Sequence, residues 1–155
     1  MGRVPESVAA FLRGPRIAVA GVSRDPRQAA NFIFRKLRES GHDVVPVNPN
    51  AAEIEGVTCY PDVGAVSGGV SSVVIATHPS AAPDVVRRCA ECGVRSVWFH
   101  RAFGQGSVSE SAVREARSRG LESLVGGCPV MFCEPVDLFH RCMRGWLRWR
   151  GRMPD

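Results

Sequence analysis

The stretch Arg16 to Pro26 reads RIAVAGVSRDP, and its reading decides the fold. Ile17, Ala18, Val19 and Ala20 form a short apolar run. The run stops at Gly21, Ser23 and Pro26, and a helical pattern starts near Gln28. Strand, tight turn and helix in immediate succession form the opening unit of an α/β fold. The backbone N–H groups at such a helix start converge where the helix dipole favours negative charge. Gly21 lets a ligand approach the backbone closely, and the Ser23 hydroxyl adds a hydrogen bond to a phosphate.

Working outward, apolar runs and helical patterns alternate. A first helix over about residues 28–40, with Phe32, Ile33, Leu37 and Ala29 facing inward, ends at Gly41. A second strand covers 43–47 and runs into Asn48-Pro49-Asn50. Residues 53–60 read as a turn and a short third strand, and 61–69 as a loop or a single helical turn. The fourth strand, 71–76, carries Val73-Val74-Ile75-Ala76, a run suited to burial on both faces. Helix 81–92, strand 94–99, helix 109–119 capped by Ser107 or Ser109, strand 121–125 and helix 135–149 complete the chain. This alternation predicts βαβ units with right-handed crossovers around a mainly parallel sheet. The expected fold is a three-layer Rossmann-like α/β domain with strand order 3-2-1-4-5-6, and ligands beyond the carboxyl ends of the strands.

The 155 residues are read as one domain, 1–155, with 1–14 as an N-terminal helical extension and 134–155 as a C-terminal helix and tail. The composition is that of a globular protein, 45% hydrophobic and 23% charged. There is no stretch of 18 apolar residues and no signal-peptide pattern, so a cytoplasmic protein with no membrane partner is expected. The six cysteines are then expected as thiols rather than disulfides. The net charge of +5 permits an anionic ligand.

The expected strand ends collect Gly21, Ser23 and Arg24; Asn48 and Pro49; Thr77, His78 and Pro79; His100, Arg101 and Gly104 to Gly106; and Gly126, Gly127, Cys128 and Pro129. These ends hold no carboxylate pair, which suits binding an anion better than acid–base chemistry. The first turn is G-x-S-x-x-P, and Asn48 stands where dinucleotide binders place an acid for the ribose. Both departures weaken a nicotinamide dinucleotide reading.

Several segments together resemble the CoA-binding domain family: GVSRDP with Asn31 and Leu37, VPVNPNA at 45–51, EGVTCYPDV at 55–63 and VVIATHP at 73–79. That family is a Rossmann-like group similar to the CoA-binding domain of the succinyl-CoA synthetase α-subunit. WFHRAFGQGSVSESA and GGCPVMF resemble its bacterial single-domain branch. The resemblance covers roughly 15–132. It implies that the backbone of Gly21, Val22, Ser23 and Arg24 holds the CoA phosphates. Asn48 and Pro49 would lie near the adenosine, Thr77 and Pro79 beside the pantetheine or ribose, and Gly104 in the loop after the fifth strand. Where full synthetases place a lysine after the second strand, this chain has Asn50 and Ala51. Arg24, Arg27 or Arg16 is then expected to meet the 3′-phosphate. Ligase activity does not carry over, because the phosphorylated histidine of the synthetase belongs to a second domain.

Three functions follow from these residues. The leading one is a binder of coenzyme A or acyl-CoA without catalysis of its own. The second is an enzyme on a CoA thioester or thiol, with Cys128 as nucleophile and His100 as base. The third is an NAD(P) binder. Cys89 and Cys92 form a CxxC at a helix end, where the dipole does not activate a thiol, and are expected to pack. Cys128, Cys133, His140 and Cys142 match no zinc spacing, so no metal is expected. The basic tail RCMRGWLRWRGRMPD is a weak nucleic-acid footprint. Its stripe of Met143, Trp146 and Leu147 is expected to pack on the sheet or on a homodimer or protein partner.

Overall fold

The apolar runs become strands and the periodic segments become helices. The computed structural model describes residues 3–101 and 104–154. In chain order its elements are α1 (Glu6–Leu12), β1 (Ile17–Ala20), α2 (Ala29–Glu39), β2 (Val44–Val47), β3 (Glu53–Ile54), β4 (Val57–Thr58), β5 (Ser72–Ile75), α3 (Ala82–Glu91), β6 (Ser96–Phe99), α4 (Glu110–Ser118), β7 (Glu122–Val125) and α5 (Leu138–Trp149). Short 3-10 turns stand at Val63–Ala65, Pro79–Ala81 and Pro129–Phe132. Ser109 caps α4, its hydroxyl accepting the Ala112 N–H.

The main sheet has five parallel strands in the order β2-β1-β5-β6-β7. The chain steps outward from β1 to β2 and then returns to β5 on the other side of β1, which places the topological switch between β1 and β5. β1, β5 and β6 are buried along their whole length, and alternate side chains feed two cores. Val19, Val74 and Trp98 face a layer built from α1, α2 and α5. Ala18, Val73, Val97 and Phe99 face a layer built from α3 and α4. This is the three-layer Rossmann-like fold.

One part of the expected order changes. The third strand is reduced to the antiparallel β3–β4 hairpin and a single parallel bridge from Tyr60 to Val47. Pro46 explains why. Its carbonyl accepts the Tyr60 N–H at 3.1 Å, so the nitrogen of Pro46 faces the same side. That nitrogen carries no hydrogen, and the next rung of a ladder cannot form. The phase of α2 also differs. Ala30, Asn31, Ile33, Phe34 and Leu37 are buried, whereas Ala29 and Phe32, expected to face inward, are exposed, Phe32 by 39%.

Trp98 anchors the first core. Its indole N–H donates to the Gly126 carbonyl at 2.8 Å, and Phe11 of α1 meets it edge-on with ring centroids 5.3 Å apart. Phe11 is 1% exposed, so the N-terminal helix is part of the core and not an appendage. Phe11→Ala should therefore cost about 3–5 kcal/mol in urea denaturation; a loss below about 1 kcal/mol would mean that α1 is dispensable.

Candidate functional site

A cleft of about 630 Å³ opens at the carboxyl ends of β1, β2 and β5. One wall holds Ala20, Gly21, Ser23 and Gln28, from the first turn and the start of α2. Val47, Asn48, Pro49 and the Pro61–Val63 segment form the second wall. Ala76, Thr77 and His78, with Ala81, Asp84, Val85 and Arg88 around α3, form the third.

Gly21 sits at the switch point with φ +103°. A Cβ there would lie 2.4 Å from the Ala76 carbonyl oxygen and 3.0 Å from the Thr77 nitrogen. The glycine is thus required by the approach of β1 to β5. Its own N–H is already spent on the Val47 carbonyl at 3.1 Å.

The turn beyond it is held by side chains. Asn31, 1% exposed, grips Ser23 from both sides. Its amide oxygen accepts the Ser23 N–H at 2.8 Å, and its amide nitrogen donates to the Ser23 carbonyl at 2.7 Å. The same nitrogen donates to Glu55 at 3.0 Å, and Arg35 donates to that carboxylate oxygen at 2.7 Å. The Asn31 hydrogen bond, followed by the Arg35 charge, holds the Glu55 carboxyl below the usual carboxylate range. Asn48 adds a second tie. Its amide nitrogen donates to the Val22 carbonyl, and its oxygen accepts the Asn50 N–H, both at 2.7 Å. The Ser23 hydroxyl accepts the Asp25 N–H at 3.1 Å.

These bonds leave a short inventory of open groups. Among the described residues, the N–H groups of Val22 and Arg24 in the turn and of Thr77 and His78 after β5 have no partner. Thr77 Oγ1 is buried and also without one. The expected residues distribute accordingly. Gly21, Ser23, Asn48, Pro49 and Thr77 line the cleft. Val22 offers only backbone, because its side chain is fully buried in the core. Arg24 stands exposed beside the turn and donates to the Asn50 carbonyl. Pro79 begins a 3-10 turn capped by His78, and Gly104 is exposed; like Val22 and Arg24, neither is on the lining.

Of the three arginines considered for a phosphate, Arg16 is excluded by position. It lies at the amino end of β1, paired with Asp43 at 2.8 Å and donating to the Ser67 carbonyl at 2.7 Å. Arg27 is paired with Asp25 at 2.9 Å. Arg24 is in no ion pair among the described residues. The loop after β4 falls in the 55–63 segment that carries the family resemblance, but neither it nor the charged rim of α3 is among the expected site residues. Asp62 caps the 3-10 turn, accepting the Gly64 N–H at 2.7 Å, and pairs with Arg88 at 2.8 Å. The Arg88 guanidinium holds the Asp62 carboxyl down. The Pro61-Asp62 pair was the available signal, since Pro and Asp both initiate turns.

Cys128 and His100 are not on the cleft lining. Cys128 is 4% exposed in the first core, and burial pushes its thiol up to about 12, which leaves it protonated at neutral pH. Burial likewise lowers His100 to about 4, so its imidazole is neutral, and its Nδ1 has no partner. Cys89 is fully buried in α3 and pushed up to about 12. His140 pairs with Asp137 at 2.6 Å and stacks on Phe32, while Cys142 is exposed. Among the described residues no group of three or more His, Cys, Asp or Glu could hold a metal ion.

Fold and cleft together define a Rossmann-like α/β protein with its opening at the β1–β5 switch. The model of the CoA-binding domain family matches residues 15–134, and the chain belongs to that family. It is 33% identical over 109 residues to the α-subunit of acetate–CoA ligase (ADP-forming) II from Pyrococcus furiosus, a match covering 69% of this chain and 24% of that subunit. The chain therefore spans about a quarter of that relative. It is 25% identical over 116 residues to the uncharacterized protein YneT of Bacillus subtilis, covering 75% and 83% of the two chains. A hypothetical protein from Pyrococcus horikoshii OT3 superposes with a TM-score of 0.75 at 29% identity, covering 83% of this chain and 88% of the other.

Two measurements check this geometry. Gly21→Ala should cost about 2 kcal/mol or more, because it adds an unfavourable φ to a backbone clash; unchanged thermal stability would contradict the close approach. His100 binds a proton near 6.5 when unfolded but only near 4 when folded. Between those values the unfolded state holds more protons, so its contribution is full above pH 6.5 and lost as pH falls towards 4. His100→Gln should flatten the slope of stability against pH in that window; an unchanged slope would show that His100 is solvated.

Proposed function

We propose that the protein binds coenzyme A or an acyl-CoA in the cleft at the β1–β5 switch and performs no catalysis of its own. The observation that carries this reading is the set of unspent groups: the N–H groups of Val22, Arg24, Thr77 and His78 and the buried Thr77 hydroxyl, all at the ends of β1 and β5. Unpaired buried polar groups are costly, and an oxygen-rich ligand satisfies them. Val22 and Arg24 would hold a phosphate of the pyrophosphate by backbone donation from the turn between β1 and α2, as nests of turn N–H groups do. Asn31 keeps the turn in shape and donates nothing to the ligand, since both its amide hydrogens go to Ser23 and Glu55; Asn48 ties Val22 and Asn50 and keeps one amide hydrogen for the cleft.

Thr77 shares the cleft lining with the apolar Val47, Val63, Ala81 and Val85, a lining suited to the pantetheine chain or a sugar. Arg24 is the cation for the 3′-phosphate. Family membership and the acetate–CoA ligase relative support the ligand class. The enzyme reading draws no support from Cys128, which is off the lining and protonated, and the lining carboxylates Asp62 and Asp84 are each tied to an arginine of α3. The dinucleotide reading lacks an acid after β2, where Asn48 stands.

Calorimetric titration with coenzyme A, dephospho-CoA and NAD tests this. Coenzyme A should bind most tightly. Arg24→Ala should remove most of the advantage over dephospho-CoA, a loss of roughly ten-fold for one charge-assisted contact. Equal affinity for all three ligands would sink the proposal.

A further inference from the structure

Helix α5 exposes an apolar arc beside its buried side. At about 100° per residue, Met143 and Leu147 mark its buried side, 7% and 1% exposed. The adjoining arc holds Leu138, Phe139, Cys142, Trp146 and Trp149. Leu138 is 76%, Phe139 60%, Trp146 39% and Trp149 78% exposed, and Cys142 is exposed as well. Arg141 and Arg148 border this arc on one side and Arg150 on the other. The stripe expected to pack is thus two stripes: one inside the protein, one facing out.

Charge singles out the same segment. Residues 138–154 contain Arg141, Arg144, Arg148, Arg150 and Arg152 and no acidic residue. They account for the whole formal net charge of +5, and the rest of the chain is neutral. The partner of this face is therefore anionic as well as apolar. A second copy of the chain would bring two such arginine clusters together, at an electrostatic cost. A nucleic acid would need open ring faces for stacking, but the Arg150 guanidinium already lies 4.9 Å over the Trp146 ring and 5.6 Å over Trp149. Leu138 and Phe139 would also gain nothing from a phosphate backbone.

We propose that α5 is an interfacial helix, docking the protein on an anionic lipid bilayer through Leu138, Phe139, Trp146 and Trp149 with Arg141, Arg148 and Arg150 at headgroup level. Apolar residues on one arc, tryptophans among them, and arginines along its borders are the composition of helices that lie in a bilayer surface. No helix among the described residues is long and apolar enough to cross a membrane, so these elements lie on the bilayer and do not traverse it. The cleft stays open, because α5 belongs to the layer of α1 and α2 while α3 of the opposite layer borders the cleft.

Tryptophan emission with vesicles tests this directly. Trp98 is fully buried, so changes in emission report Trp146 and Trp149. The protein should co-sediment with vesicles containing phosphatidylglycerol, with blue-shifted emission, and not with phosphatidylcholine alone. Binding should fall roughly ten-fold or more in Arg141→Glu/Arg148→Glu. It should fall in Leu138→Ser/Phe139→Ser as well, whose exposed positions leave the core and its circular dichroism unchanged. The proposal is overturned by no binding to anionic vesicles, by binding without a blue shift, or by full binding of either variant. A dimer in sedimentation equilibrium that Leu138→Ser/Phe139→Ser dissolves would assign the face to a second copy instead.

Discussion

β1 and β5 approach each other so closely beyond their last paired residues that only a glycine fits at position 21. The rest of the site depends on this contact. It lets the chain leave β1 with a positive φ and turn at once towards α2. It also brings the Ala76–Thr77 backbone against the first turn, so that groups from two non-consecutive strands face one opening. A side chain at this position would separate the strands where the topology creates a crevice.

The next level is the distribution of hydrogen bonds. A turn of this kind has more N–H groups than it can pair, and their allocation decides what remains for a ligand. Gly21 gives its N–H to β2 and Ser23 gives its own to Asn31. Only the donors of Val22 and Arg24 are left in this stretch. The buried Asn31 and its Glu55–Arg35 support therefore shape the turn without lining the cleft. A fully bonded amide in this position holds one geometry, as buried polar networks do when every member is satisfied.

The order of strands and helices was legible because the buried strands are short apolar runs punctuated by glycines and capping residues, as at Ala20-Gly21 and Val73 to Ala76. Three features were not read. Pro46 lies inside a strand-like run, and what it does to the third strand depends on which edge its nitrogen faces. The inward face of α2 was mis-phased because Phe32 is more apolar than Asn31, and propensity does not reveal that a carboxamide will satisfy two backbone groups in the core. Gly21 reads from the sequence as a place where a ligand meets the backbone, whereas the neighbour that requires the glycine is the β5 backbone. That contact joins residues far apart in sequence, and no local pattern encodes it. The first-turn, Asn48 and Thr77 positions were legible as strand ends; the wall from Pro61 to Val63 and the α3 rim follow from tertiary packing.

The central claim is that the unspent donors at the β1–β5 switch hold a ligand of the coenzyme A class. Backbone amide NMR of the isotopically labelled protein during addition of coenzyme A examines this atom by atom. The account predicts the largest shifts at the Val22 and Arg24 amides, with Thr77 moving alongside them and the amides around Cys128 unchanged. Shifts centred on Cys128 and His100, with the first turn silent, would contradict it.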